Sequence, residues 1–88
     1  MTTYFRPIDV WKRVNEGEAI RYRCFECMPG PKYCVQSADF FRLPVDRLVI
    51  ANQEDQRMEL FLEEAPDKRT ALFDSLEEAI ADHEREFS

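Results

Sequence analysis

The sequence predicts an α+β domain: a short N-terminal helix, a four-stranded mainly antiparallel sheet and a C-terminal amphipathic helix packed on that sheet. Three observations carry this. Residues 18–28, EAIRYRCFECM, alternate Ile20, Tyr22 and Cys24 with Arg21 and Arg23, the period of a strand with one wet face. Residues 75–87 repeat apolar side chains at spacings of three and four, the mark of a helix with one apolar stripe. A chain of 88 residues with 44% hydrophobic residues and only two glycines can build a core. Its size makes residues 1–88 one compact domain, burying roughly 60–65% of the surface its unfolded chain would expose.

The first element is read at residues 7–16, PIDVWKRVNE, where Val10, Trp11 and Val14 share one helical face. Pro7 suits the first turn of a helix, and Gly17 stands where a helix often ends. The first strand follows at 18–28, and its alternation loses phase at Phe25 and Glu26, which predicts a bulge there. Met28-Pro29-Gly30-Pro31 has the residues of a type II turn, but Pro31 lacks the closing N–H, so a wider loop is expected. A second strand runs from Lys32 to about Ala38. Beyond the Leu43-Pro44 break, residues 47–51 and 57–64 read as two further strands joined by the polar NQEDQ. Ser75 followed by Glu78 is a capping box that opens the last helix, whose stripe is Leu76, Ala79, Ile80, His83 and Phe87.

The net charge is −6, and it is uneven. Residues 1–44 hold seven Lys/Arg against five Asp/Glu, and residues 45–88 hold five against thirteen. So acidic a surface argues against nucleic-acid or anionic-membrane binding, which rests on basic patches. No stretch has the length and apolarity of a signal peptide or a membrane span, and three cysteines leave one unpaired in any disulfide scheme. The expectation is a cytoplasmic protein with reduced thiols.

Chemistry could reside in CFECMPGPKYC, which holds all three cysteines. Cys24-x-x-Cys27 resembles half a zinc site in its spacing, and Cys34 with His83 could complete a tetrahedral set. In a strand, however, residues three apart point to opposite faces, so Cys24 and Cys27 would not share a metal. A redox pair would need a thiolate stabilised by a helix N-terminus or by cations, and no helix starts at Cys27. A bridge from Cys27 to Cys34 across the hairpin depends on its register. Small buried thiols filling a sheet core are the simplest account.

His83, the only histidine, sits on the last helix between Asp82 and Glu84, where a boundary residue packing its ring is the expectation. There is no nucleophile elbow, phosphate loop, dinucleotide motif or EF-hand spacing. The carboxylates at Glu54-Asp55, Glu63-Glu64 and Glu77-Glu78 read as solvated surface or as an acidic face toward a basic partner. Phe40 and Phe41 would point to opposite sides of a strand, so one of them is expected to cover the sheet's second face, line a dimer interface or pack under the 42–46 connection, and an exposed ring would favour a protein-binding role.

The expected function is therefore a small acidic, non-catalytic protein-interaction or regulatory domain, with a protein partner and no cofactor. Self-association into a homodimer through a sheet edge or face is expected as a secondary property. The alternative is a zinc-binding or redox protein that uses Cys24, Cys27 and Cys34.

Overall fold

Three long strands precede all the helices. In the computed structural model, which describes residues 3–28 and 30–87, β1 spans Tyr4–Asn15, β2 Glu18–Met28 and β3 Lys32–Arg42. They form one antiparallel meander in the order β1-β2-β3. Three helices follow: α1 at Arg47–Glu63, α2 at Pro66–Arg69 and α3 at Leu76–Phe87. The α+β class and the C-terminal helix are as expected, but the sheet has three strands rather than four. The turn expected at residues 28–31 includes Pro29, which lies outside the described residues.

Two sequence expectations are corrected. The segment read as an N-terminal helix is the body of β1. Val10, Trp11 and Val14 fit a helical stripe, but the segment is rich in β-branched and aromatic residues, and these favour a strand once a partner is present. Gly17 does not end a helix. With φ at 78° it shapes the tight Glu16-Gly17 turn that joins Asn15 to its partner Glu18, a geometry open to glycine at little cost.

The two strands read at 47–51 and 57–64 are one helix, α1. Asp46 caps it by accepting the Leu48 N–H at 2.9 Å. The seventeen residues that follow contain neither glycine nor proline, so NQEDQ does not break the chain.

Both faces of the sheet are covered. On one, α3 packs against Ile8, Val10, Ile20, Tyr22, Cys24 and Val35, with Ala79 fully buried and Leu76, Ile80 and Phe73 around it. On the other lie Phe25, Cys27 and Cys34, with Phe5 and with Phe61 of α1. A β-bulge lets one strand serve both layers. Arg23 pairs with Ser37 but Cys24 pairs with Val35, so Gln36 is the extra residue. The shift lies at Arg23/Cys24 rather than at Phe25/Glu26, and it turns Cys34 onto the α1 side beside its partner Phe25.

The 64–75 connection wraps the outer edge of β3. There Tyr33 and Phe73 exchange two backbone hydrogen bonds of 2.8 Å.

Candidate interaction face

α1 is the anomalous element. It has seventeen residues and buries none of them. Its contact with the sheet is mostly ionic. Arg23, only 2% exposed, donates from Nε to Asp39 and from its terminal nitrogen to Glu54 of α1 at 3.3 Å. Arg21 donates to the same two carboxylates, each at 3.1 Å. Its guanidinium also lies over the rings of Trp11 and Phe41. Arg57 of α1 completes the set, 3.7 Å from Glu54 and 3.8 Å from Asp9.

Three cations thus face three anions between helix and sheet. Burying charges costs several kcal/mol per ion before pairing repays it, so such a layer orients a helix more than it stabilises one. The repayment is incomplete here, because Arg21 Nε and Arg23 Nη1 are buried without a hydrogen-bond partner. The apolar part of the contact includes an aromatic cluster in which Phe61 lies 5.4 Å from Phe25 and 5.6 Å from Phe5.

The outward side of α1 is correspondingly apolar. Leu48, Ala51, Met58 and Leu62 lie at helical spacing and are exposed, with Leu48 at 76%, Met58 at 65% and Leu62 at 75%. Leu43 and Val45, just before the helix, are exposed as well. Met58 and Leu62 also form one wall of a groove of about 480 Å3, whose other apolar lining is Phe5, Pro7, Phe25 and Phe61. Asp55 interrupts the stripe, and Glu59 and Glu63 flank it. All three acids are exposed and have no ion-pair partner among the described residues.

The cysteines are divided by the pleat. Cys24 lies in the α3 layer, and Cys27 and Cys34 lie in the α1 layer. All three are buried free thiols. Burial, followed by the neighbouring Cys34, pushes Cys24 and Cys27 up to about 12, so both are protonated at neutral pH and are poor nucleophiles or ligands as they stand. Cys27 pairs with Lys32, and Cys34 with Phe25, which makes the two cysteines diagonal neighbours on one face. Among the described residues no three His, Cys, Asp or Glu side chains converge into a metal-holding group.

His83 is on the α3 side, stacked 4.6 Å from Phe87 and edge-on to Tyr22 at 6.0 Å. Burial holds it below the ordinary histidine range. It lines a cleft of about 420 Å3 with Asp82, Glu86, Arg69 and Thr70, which includes no cysteine or serine. The Thr70 hydroxyl is already directed to the Pro66 carbonyl. Next to it, Glu84 accepts from Lys12 at 2.7 Å and from the Tyr22 hydroxyl at 3.1 Å, tying α3 to β1 and β2.

Comparison with protein-family models, with curated proteins and with solved structures finds no match to this chain.

The sequence reading singled out the cysteines and missed the groove. Its walls come from residues 5, 7 and 25 and from 54, 57, 58, 61 and 62 of α1, which no local pattern links. The available signal was that the apolar residues of 47–63 are not gathered on one face: Phe61 points to the sheet while Leu48, Met58 and Leu62 point away from it. Among the described residues no helix is long and apolar enough to cross a membrane.

Proposed function

We propose that the protein is a non-catalytic interaction domain that seats an amphipathic helix of a protein partner against α1. The observation that carries this reading is a full-length helix with no buried residue and an exposed apolar stripe leading into an apolar groove. The partner segment would bring an apolar stripe with lysine or arginine beside it. Asp55, Glu59 and Glu63 sit unpaired around the stripe, and they would repel the same helix of a second copy. The net charge of −6 supports a basic partner and disfavours nucleic acid. Three free thiols suit a reducing compartment such as the cytoplasm.

The test uses two designed helical peptides with the same leucine stripe, one flanked by lysine and one by glutamate, titrated into isotope-labelled protein. The lysine peptide should bind at least about tenfold more tightly, a difference of about 1.4 kcal/mol. It should shift Phe61, Met58 and Leu62, and it should lose most of its affinity against the Met58→Gln/Leu62→Gln variant. Equal binding by both peptides, or shifts confined to α3, would refute the reading.

A further inference from the structure

The free edge of β1 has a different character from the α1 face, and its hydrogen-bonding phase can be worked out across the sheet. Tyr33 directs both backbone groups outward to Phe73, so the next residue, Cys34, directs its own inward to its partner Phe25. Phe25 therefore has none to offer its other partner, Pro7. Pro7 and the odd-numbered residues Asp9, Trp11 and Arg13 thus turn their backbone groups to the outer side of β1, where no strand pairs among the described residues. A missing N–H at Pro7 is harmless there, which explains a proline inside a twelve-residue strand. Pro7 at one end and the register shift after Arg13 at the other bound the pairing window.

We propose that this edge pairs antiparallel with the same edge of a second copy, centred on Trp11, to make one continuous six-stranded sheet. The register follows from charge. A two-fold axis at Trp11 sets Asp9 opposite Arg13 of the second copy, twice. Centring on Asp9 would oppose two aspartates, and centring on Lys12 would oppose two lysines; centring on Val10 leaves Asp9 facing Trp11 and Arg13 facing Pro7. Only the Trp11 register places unlike charges directly across, the arrangement that favours cross-strand pairs. Arg13 is exposed with no ion-pair partner among the described residues, and Trp11 is 55% exposed. The mode is edge addition, with backbone bonds supplying affinity and facing side chains supplying register.

Sedimentation at sub-millimolar concentration should show a dimer. Arg13→Asp and Asp9→Arg should each be monomeric, because each opposes like charges twice. Mixing the two variants should restore a one-to-one dimer, since every facing pair is then unlike. Because Asp9 also lies near Arg57, a second measurement on the unmodified protein stands beside the swap. The amide protons of Asp9, Trp11 and Arg13 should gain exchange protection as protein concentration rises. A monomer at every concentration, a dimer that survives Arg13→Asp, or rapid exchange at these three amides in a dimer would each overturn the proposal.

Discussion

The two long helices lie on opposite faces of one sheet and are held by opposite physics. α3 places a clean apolar stripe on an apolar layer, with Ala79 buried against Tyr22, Cys24 and Val35. α1 meets its face through Arg21, Arg23, Asp39 and Glu54 and the aromatic contact of Phe61, with Leu48, Met58 and Leu62 pointing away. The difference teaches that a helix can be placed by charge and left free to work with its outer side. In this chain the well-packed helix completes the fold and the loosely packed one is the candidate docking element.

Breaking the charged layer should have the largest effect. Arg23→Ala removes the most deeply buried cation of the set, leaving the largely buried Asp39 with Arg21 alone, and should lower stability by about 3 kcal/mol in urea denaturation. The apolar side should respond less to one truncation: Ile80→Ala, at a half-buried position, should cost about 2 kcal/mol and lower protection across the sheet as well as α3. Thiol labelling then sharpens the contrast. Cys27 and Cys34 lie on the α1 face of the sheet with Phe61, so they should react with a disulfide reagent at least about tenfold faster than Cys24 under α3, through local opening of the weaker layer. Similar rates at all three, read by peptide mass mapping, would mean that the two layers open together.

A smaller effect is expected at the start of α3, where Ser75 Oγ accepts the Glu78 N–H at 3.2 Å. Ser75→Ala should cost about 1 kcal/mol, measured by thermal melting, and should leave α1 unchanged. The smallest effect is that of pH on His83. Its folded form resists protonation because of burial, so the unfolded chain takes up the proton first as pH falls through its ordinary value of 6.5. Stability should therefore decline modestly below that pH, and His83→Phe should remove the decline.

How much of this was legible follows from the same contrast. α3 could be read almost residue by residue, because its capping serine and its stripe of Leu76, Ala79 and Ile80 report an apolar interface. The β2–β3 hairpin was legible from alternation, and so was the separation of Cys24 from Cys27 by the pleat. α1 was hidden because hydrophobic periodicity records only apolar contacts. Met58, Leu60 and Leu62 alternate like a strand, whereas the residues that seat the helix are Glu54 and Arg57. β1 was hidden because Val10, Trp11 and Val14 suit either period, and Pro7 and Gly17 are as natural at a strand edge and a tight turn as at helix ends. The groove joins both misread segments, so it could not be found before they were placed.

The central claim is that buried charge, rather than apolar packing, holds α1 on the sheet. Native-state hydrogen exchange on the unmodified protein and on Glu54→Gln, which removes the α1 carboxylate that Arg21 and Arg23 share, tests it most directly. The account predicts that amides of α1 lose protection in the variant by about tenfold or more while those of α3 keep theirs. A uniform loss over both helices, or no loss in α1, would contradict it.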